Sequence, residues 1–309
     1  MAALVNNKNY TTELEIGLAN YLLAAAVGSQ LLSTRELADQ FGASLGSISA
    51  AVNQLEEIGA VTINRRGRLG SFLEQKSIGK LWNTIENRPL VIALTLPSFP
   101  KCEGLATGIY TLLNNAGIEI YLIFIRGSNN RIKALRDGHC HAVVMSALAA
   151  DELSGPGEEI VLRLPPQSFV TDHRVFYRNQ EPDPSRPLRV GIDYDSFDIV
   201  YLTELEFAGQ EVEFQEMTLM QIDRHMDKSF VDAAVSNLDH IERVFSREIA
   251  SRPLSPRVQE LLGDRDTSAA VIIPAGADPV RIVLKEVLDP DQLLEIQQKV
   301  VEGLIVPRY

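Results

Sequence analysis

The sequence has few of the residues that build disulfide frameworks or metal centres. Only two of its 309 residues are cysteines, Cys102 and Cys140. Two cysteines do not make the disulfide network of a small secreted protein, and they suit a reducing compartment. The candidate metal cluster is His139-Cys140-His141, but adjacent side chains in a strand point to opposite faces and do not share one ion. We predict no metal and no cofactor.

Long hydrophobic runs are also missing. No apolar run reaches the roughly 18 residues that a membrane-spanning helix needs, and the N-terminus does not have the charged segment and apolar run of a signal peptide. Hydrophobic residues nevertheless make up 45% of the chain and charged residues 23%, which is typical of a folded globular protein. We therefore predict a cytoplasmic protein, and its length indicates two or three domains.

The chain lacks the excess of basic residues that is typical of nucleic-acid-binding proteins, since its net charge is −12. Residues 1–88 contain eight basic and eight acidic residues, so the whole net negative charge lies in residues 89–309. A local basic patch, rather than the net charge of a chain, attracts phosphate groups. The N-terminal part can therefore still bind DNA.

The stretch from Ser33 to Leu73 has the pattern of two helices followed by a hairpin. Ser33 and Glu36 have the spacing of a capping box at a helix start. Gly42 ends that helix, and Ser44 can cap a second one. Gly59 follows the second helix where a C-terminal cap is expected. The apolar stripe of the second helix consists of Ile48, Ala51, Val52, Leu55 and Ile58.

The hairpin that follows is basic. Short strand-like segments at residues 61–63 and 69–73 flank the sequence Arg65-Arg66-Gly67-Arg68. Two helices joined by a short turn that contains glycine form a helix-turn-helix, whose second helix fits the DNA major groove. The basic hairpin is then the wing of a winged helix, and its arginines can reach the DNA backbone or the minor groove.

The order of these elements resembles the winged-helix module of GntR-type transcriptional regulators. The residues that carry the resemblance include Arg35-Glu36-Leu37-Ala38, the helix after Ser44 and the wing from Gly67-Arg68 to Gly70-Ser71-Phe72. Over its whole length the chain resembles the YhfZ group of GntR-like regulators. The resemblance implies that double-stranded DNA is contacted by Arg35, Ser44, Ser47, Ser49, Asn53, Arg65, Arg66, Gly67 and Arg68.

The second helix departs from that family at two positions. GntR-type regulators often have arginine where this chain has Leu45 and Ser49. Arginine makes the commonest specific contact with guanine, and this contact is therefore lost. Two alternatives follow: either serine, asparagine and the wing supply the sequence specificity, or DNA binding is weak.

From Leu90 onward, apolar strand-like segments alternate with helical ones, as in α/β domains. The order strand, helix, strand, helix, strand occurs twice, on either side of a proline-rich boundary at residues 181–187. The predicted strands are 90–96, 118–125 and 142–145 in the first repeat and 188–192, 212–215 and 231–235 in the second. We expect two similar lobes, with crossings at residues 168–177 and 249–253. A further strand at residues 270–273 belongs to a segment that returns to cover the first lobe.

The segment from Arg126-Gly127-Ser128 to Ser146 resembles the first lobe of type II periplasmic-binding-protein folds, which also serve as effector domains of LysR-type regulators. One departure is Ala142, where that family often has aspartate. The predicted fold class is an α+β winged helix-turn-helix N-terminal domain followed by a two-lobed α/β type II periplasmic-binding-protein-like domain. We predict a DNA-binding domain at 1–75, a linker helix at 76–88 and an effector domain at 89–309, with lobe I at 89–170 and 254–309 and lobe II at 171–253.

Ligands of open α/β sheets bind beyond the carboxyl ends of the strands. In this chain those ends carry short polar residues, two aromatic residues and an arginine that can pair with a carboxylate or phosphate. The predicted ligand-binding residues are Ser98, Phe99, Arg126, Ser128, Asn129, Ser146, Tyr194, Asp195, Ser196, Ser236 and Asn237. The alternative for Ser128, Ser196 and Asn237 is that they only cap helices. A zwitterion held between Arg126 and Asp195 is one hypothesis for the ligand.

Three functions fit these patterns. The first is a homodimeric transcriptional regulator that binds DNA and a small-molecule effector. The second is an enzyme on the two-lobed fold, such as a lyase or transferase, for which Cys102 is the nucleophile worth testing. The third is a binding protein whose DNA module serves only for dimerisation. No nucleophile elbow, phosphate-binding glycine loop or metal signature is present in the sequence, so we predict a regulator that is not an enzyme.

Overall fold

The computed structural model describes residues 2–178, 185–245 and 249–309, with residues 2–12 described by their backbone. Residues 181–184 of the predicted proline-rich boundary lie outside this part of the chain. Two compact units can be distinguished. The first comprises Met1–Leu90, Leu112–Tyr121 and Ala277–Leu288, and the second comprises Val91–Thr111, Leu122–Gly276 and Asp289–Tyr309. The domain limits at residues 75 and 88 stay a prediction.

The first unit contains the expected helix-turn-helix and hairpin. Its three short strands form an antiparallel sheet in the order β1-β3-β2. The capping box at Ser33 is confirmed, because the Ser33 side chain accepts a hydrogen bond from the backbone of Glu36 and the Glu36 carboxylate accepts one from the backbone of Ser33. The elements are α1 Ala2–Ala24, β1 Gln30–Leu31, α2 Thr34–Phe41, α3 Leu45–Glu57, β2 Val61–Arg65, β3 Ser71–Lys76 and α4 Ile78–Ile85.

The hairpin differs from the prediction at its tip and at its end. Residues Gly67–Leu69 form a single 3-10 turn, so the second strand begins at Ser71 and not at Leu69. That strand continues to Lys76, which pairs with Val61. The helix predicted from residue 76 therefore begins only at Ile78. The reason is that β2 provides backbone hydrogen-bond partners for residues 71–76, which outweighs their polar composition.

A continuous apolar core supports the helix-turn-helix. Leu18 and Leu22 of α1 are buried, as are Ile48 and Leu55 of α3. Lys76 at the end of the wing is also mostly buried, and its Nζ donates to the carbonyl oxygen of Leu23 at 2.7 Å. Ile48, Ala51 and Leu55 of the predicted apolar stripe are buried and Val52 is partly buried, whereas Ile58 at its end is 46% exposed. The opposite face of the helix is accessible to solvent.

Five strands form the sheet of the first lobe in the order β5-β4-β6-β13-β7. Strand β4 is parallel to β6, and β13 is antiparallel to both β6 and β7. The segment after residue 268 therefore returns to the first lobe by inserting a strand into its sheet. The strands are β4 Leu90–Leu94, β5 Ile120–Phe124, β6 Ala142–Ser146, β7 Glu158–Arg163 and β13 Ala269–Pro274.

The second lobe also has a five-stranded sheet, in the order β10-β9-β11-β8-β12. The two predicted crossings contribute strands of their own, β8 and β12, which pair with each other antiparallel. The neighbouring residues Val175 and Phe176 of β8 are both buried, and since adjacent side chains of a strand point to opposite faces, both faces of β8 are covered. The strands are β8 His173–Tyr177, β9 Leu188–Ile192, β10 Val212–Glu216, β11 Ala233–Asn237 and β12 Ala250–Pro253.

Helices connect and flank these strands. Four of them were not predicted: α7 and α10, which begin directly at the carboxyl ends of β6 and β11, and α11 and α12. The helices are α5 Pro100–Asn115, α6 Ser128–Arg136, α7 Ala147–Leu153, α8 Phe197–Glu206, α9 Ile222–Asp227, α10 Leu238–Val244, α11 Pro256–Leu262, α12 Asp278–Val287 and α13 Pro290–Val301. Among the helices of the described residues, none has the length and hydrophobicity to cross a membrane.

Candidate functional site

The second helix of the helix-turn-helix, α3, presents a mostly polar face to solvent. The Oγ of Ser44 accepts a hydrogen bond from the backbone of Ser47 at 3.0 Å and lies 2.9 Å from the Oγ of Ser47. These two serines therefore form the N-terminal cap of α3. Ser49 and Asn53 are exposed one and two turns further along the same helix. Of the predicted DNA-contacting residues within α3, these two are exposed to solvent.

The three wing arginines have different surroundings. Arg65 forms an ion pair with Glu56 of α3, and this hydrogen bond raises the pKa of Arg65. The guanidinium of Arg66 lies 4.6 Å from the centre of the Phe72 ring in a cation–π contact. This contact does not neutralise the charge of Arg66, which forms no ion pair with another described residue. Arg68 lies in the exposed 3-10 turn, and it forms no ion pair with another described residue. Arg66 and Arg68 are thus the wing charges available to a phosphate.

The two remaining predicted DNA-contacting residues, Arg35 and Gly67, are exposed. Arg35 is exposed in the first turn of α2. Gly67 opens the 3-10 turn at the tip of the wing with a φ of 58°, a left-handed conformation that favours glycine. Gly67 therefore shapes the turn that carries Arg68.

A cleft of about 100 Å³ lies in the second unit, at the carboxyl ends of strands from both sheets. This volume is several times what one water molecule occupies, so a small organic molecule can enter. The loops after β4, β5 and β9 and the end of β11 line it. Six of the predicted ligand-binding residues are brought together there: Ser98, Phe99, Arg126, Ser128, Ser196 and Asn237.

Two of these six also have capping roles. The Asn237 side chain accepts from the backbone of His240 at 2.8 Å and so caps α10. Ser128 accepts from the backbone of Phe197 at 3.0 Å, at the start of α8 in the other lobe. Ser196 makes no side-chain hydrogen bond to the N-terminus of α8. Asn237 and, across the cleft, Ser128 therefore line the cleft and also cap helices.

The other five predicted residues do not line this cleft. Ser146 and Ser236 are completely buried. Asn129 donates through its side chain to the carbonyl oxygen of Tyr194 at 3.3 Å. Tyr194 and Asp195 line a separate cavity of about 390 Å³. Sequence reasoning placed all five at strand ends, but it could not tell which side chains point inward.

Arg126 joins the two lobes by ion pairs. Its Nη1 lies 3.0 Å from both carboxylate oxygens of Asp193, and its Nη2 pairs with Asp195. Next to it, a Cβ on Gly127 would come within 2.3 Å of the carbonyl oxygen of Asp195, so glycine permits the close approach of these loops. Since Arg126 and Asp195 bind each other, the hypothesis of a zwitterion held between them does not fit this arrangement.

A second arginine at the cleft was missed by the sequence analysis. Arg131 is only 3% exposed, and its Nη1 donates to the carbonyl oxygen of Ile125 at 2.9 Å. Its Nε has no hydrogen-bond partner among the described residues. Burial lowers the pKa of Arg131 to about 10, so the side chain stays charged at neutral pH. The available signal was its position on the buried stripe of α6, one turn before Ala134 and Leu135.

Two buried carboxylates accompany Arg131. Ser146, which caps α7, donates its hydroxyl hydrogen to Asp198 at 2.6 Å. Burial raises the pKa of Asp198. His173 lies 2.8 Å from Asp266 through its Nδ1. Arg131, His173 and Asp198 all line the cleft, so its floor carries charges of both signs.

The protonation of His173 follows from its surroundings. Burial alone would lower the pKa of His173, but the hydrogen bond and charge of Asp266, together with the charges of Asp198 and Asp172, outweigh it and raise the pKa above the ordinary value of 6.5. A histidine whose pKa is raised on folding stabilises the folded state below its unfolded pKa. This contribution is lost as the pH rises through the folded value.

We expect His173→Gln to destabilise the protein by about 2 kcal/mol at about pH 6, the scale of a hydrogen bond to a charged group. The difference from wild type should be smaller at about pH 9, because the contribution falls as the pH rises through the folded pKa. Denaturant midpoints at both pH values measure this. His139→Gln is the control because His139 is exposed. A difference for His173→Gln that is equal at both pH values contradicts the charged pair.

The candidate nucleophile Cys102 has surroundings that bear on catalysis. Cys102 is buried, and burial raises its pKa to about 11, so its thiol is protonated at neutral pH. Among the described residues, no group of three histidine, cysteine, aspartate or glutamate side chains is placed to hold a metal ion.

Comparison with known proteins gives matches over both parts of the chain. Residues 78–309 match the family described as the YhfZ C-terminal domain, and residues 26–73 match a family described as a helix-turn-helix domain. The YhfZ protein of Escherichia coli (strain K12) is 32% identical over 293 residues, which are 94% of this chain and 95% of that protein.

Two solved structures are similar in fold. The crystal structure of YhfZ from Shigella flexneri superimposes with a TM-score of 0.61 at 29% identity, covering 75% of this chain and 98% of that one. The periplasmic aliphatic sulphonate binding protein SsuA from Escherichia coli superimposes with a TM-score of 0.50 at 14% identity, covering 70% of this chain and 75% of that one. The predicted fold class, a winged helix-turn-helix followed by a two-lobed domain like that of periplasmic binding proteins, is confirmed.

Proposed function

The chain belongs to the YhfZ family, and we propose that it is a homodimeric transcriptional regulator whose operator binding responds to a small polar metabolite. The proposal is carried by two features of one chain. One is a helix-turn-helix with an exposed second helix, and the other is a cleft at the strand ends of a two-lobed domain, lined by charged, polar and apolar residues. The first supplies a surface for DNA, and the second supplies a site for an effector.

Charge and exposure support the DNA-binding half. Helix α3 buries its apolar stripe and exposes Ser49 and Asn53, which is the arrangement of a helix that enters the major groove. The charges of Arg66 and Arg68 are uncompensated on the wing, whereas Glu56 neutralises Arg65. We infer that Arg66 and Arg68 contact phosphates and that Arg65 mainly holds the wing against α3.

The cleft supports the effector half. Its floor contains a buried guanidinium, that of Arg131, with a donor left without a partner among the described residues. A buried unpaired donor is unfavourable unless a ligand or water supplies an acceptor. The N-terminus of α6 begins at the same cleft, and helix N-termini attract negative charge. A metabolite with an anionic oxygen provides the acceptor that Arg131 needs.

The effector acts by a shift between conformations. A ligand that binds one arrangement of the lobes more tightly than another stabilises the first arrangement. The ligand can change operator affinity only through this difference in its affinity for the two arrangements. Arg126 contributes, because it already links the two lobes through Asp193 and Asp195. Mass spectrometry of small molecules released from the purified protein identifies the effector, and operator affinity measured with and without that molecule tests the coupling.

The enzyme alternative has less support. It depends on Cys102 as a nucleophile, and a reactive cysteine needs a thiolate at neutral pH. The raised pKa of Cys102 and its burial oppose this.

The DNA-binding half predicts a change in the salt dependence of binding. For a duplex taken from the region upstream of the protein's own gene, Arg68→Ala and Arg66→Ala should each reduce the slope of log K against log salt concentration by about one unit, since each removes one phosphate contact. Fluorescence anisotropy at several salt concentrations measures this. Arg65→Ala, which removes a neutralised charge, should change the slope less.

Two results would count against parts of this proposal. If Arg68→Ala leaves the slope unchanged, then the wing tip lies outside the interface. If the wild-type chain binds neither the upstream duplex nor any duplex from a random library, the helix-turn-helix serves dimerisation alone and the regulator proposal fails.

A further inference from the structure

The recognition helix of this chain has no basic residue. The sequence of α3, from Leu45 to Glu57, contains neither arginine nor lysine. Arginine and lysine make the bidentate contacts that select guanine in the major groove. If α3 enters the groove, as the proposed function requires, it must read bases through other chemistry.

The exposed face of α3 shows what that chemistry is. Leu45, Gly46, Ser49, Ala50 and Asn53 are exposed, and at 100° per residue they occupy one arc of about 140° on the helix. The buried residues Ile48, Ala51 and Leu55 lie on the opposite side. Glu57, the last residue of α3, is exposed within the same arc, and exposed Gln54 borders it. The arc therefore contains two apolar side chains, one amide, one hydroxyl, one carboxylate and one position without a side chain.

Leu45 is the unusual member of this face. Its side chain is 55% exposed at the first position of the helix, so the core of the first unit does not require a leucine there. Apolar contact with the C5-methyl group of thymine is the specific interaction that an aliphatic side chain makes in the major groove. Leu45 is suited to that contact, and it lies in the first turn, where recognition helices contact bases.

Gly46 provides an independent observation. Glycine inside a helix costs about 1 kcal/mol relative to alanine. A Cβ added at Gly46 would meet nothing closer than the Oγ of Ser44, at 3.7 Å, so packing within the described chain does not require glycine. The absence of a side chain does allow DNA to approach the helix backbone closely beside Leu45.

We propose that α3 reads A·T base pairs, with Leu45 against the methyl group of a thymine and Asn53 hydrogen-bonded to the N6 and N7 atoms of an adenine. This contact with A·T pairs rests on the proposed function and specifies which bases the regulator recognises. Asparagine is a side chain that pairs bidentately with adenine. Leu45 and Asn53 are eight residues apart, or about 12 Å along the helix axis. The two bases are therefore separated by about three to four base-pair steps.

The test uses the full chain and thymine-to-uracil replacement, which removes only the methyl group. Duplexes are first selected from a random-sequence library, and each thymine in the selected core is then replaced by uracil in turn. One replacement should weaken wild-type binding about fourfold, the effect of one buried methyl-sized group. Leu45→Ala should bind the thymine and uracil duplexes equally.

A matched control comes from the wing. Leu69 is also exposed, at 68%, but it lies in the 3-10 turn and not on α3. Leu69→Ala should keep the fourfold preference for thymine. Because both leucines are exposed, neither substitution should lower the melting temperature, which is checked for each variant.

The outcomes separate this inference from the function on which it rests. Salt-dependent, sequence-selective binding with no uracil effect at any position overturns the thymine contact but leaves the regulator proposal intact. A selected core in which guanine dominates the positions read by α3 also overturns it. A uracil effect that persists in Leu45→Ala assigns the contact to another residue and overturns the role of Leu45. Absence of binding to every duplex overturns both proposals.

Discussion

Replacing Arg131 with methionine should lower affinity for the effector about thirtyfold or more. Truncating one partner of a buried charged hydrogen bond costs at least about 2 kcal/mol. Arg131 is a buried cation that lines the cleft, and its Nε has no hydrogen-bond partner among the described residues. Methionine retains an apolar stem of similar length. The change therefore removes the donor while keeping most of the packing of α6.

This result can be measured before the effector is known. Wild-type protein and Arg131→Met are compared by thermal shift against a panel of small carboxylates and phosphate esters, and by mass spectrometry of molecules released on denaturation. A compound that raises the melting temperature of wild type should leave that of Arg131→Met unchanged. Arg131→Lys is the matched variant, since it keeps the charge but loses the Nε donor, and it should retain part of the response.

A response of Arg131→Met equal to that of wild type would exclude Arg131 as a ligand group. The unliganded variant provides a second check. Burying a charge that forms no ion pair is unfavourable, and Arg131 forms none with another described residue, so the melting temperature of the unliganded variant should not fall. A loss of both stability and binding would mean that Arg131 instead supports the buried carboxylate of Asp198, whose charge it partly balances.

Asp232→Asn should destabilise the second lobe by about 3 kcal/mol. Asp232 is completely buried, and three arginines lie within ion-pair distance of it: Arg178 at 3.0 Å, Arg186 at 2.7 Å and Arg189 at 3.2 Å. Removing one partner of a buried ionic network leaves the other charges uncompensated, with losses of about 3–5 kcal/mol. Denaturant midpoints at neutral pH measure the change.

The pH dependence of this loss can also be stated. Burial alone would raise the pKa of Asp232, but hydrogen bonds from Arg186 and Arg189 outweigh it and lower the pKa below 3.8. A lowered carboxylate pKa stabilises the folded state above the unfolded value, and the contribution is lost as the pH falls through the folded value. The difference between wild type and Asp232→Asn should therefore stay constant from neutral pH to about pH 4 and shrink only below it.

Asp151→Asn is the control for Asp232→Asn. Asp151 forms ion pairs with Arg163 and Arg265, but its side chain is partly exposed. Ion pairs at the surface contribute about 1 kcal/mol or less, so this variant should remain close to wild type. Equal losses of stability in Asp232→Asn and Asp151→Asn would show that burial of the carboxylate does not determine the size of the loss.

Local features of the fold could be predicted from the sequence because they depend on residues a few positions apart. The capping box of Ser33 and Glu36, the glycine after α3 and the apolar stripe of that helix are all of this kind. The alternation of strand and helix after Leu90 indicated two lobes for the same reason. Strands β7, β8 and β12 were missed because their pairing partners, and not their own composition, define them.

The candidate sites divide in the same way. The sequence determined that residues at strand ends form a cleft, and that a basic wing follows a helix-turn-helix, since both follow from chain order and periodicity. Only the tertiary structure decided that Arg126 pairs with Asp195 from the other lobe and that Glu56 neutralises Arg65. It also decided that Arg131 is buried and that its Nε has no hydrogen-bond partner among the described residues. Charges respond to neighbours within a few ångströms, and folding brings those neighbours from distant parts of the chain.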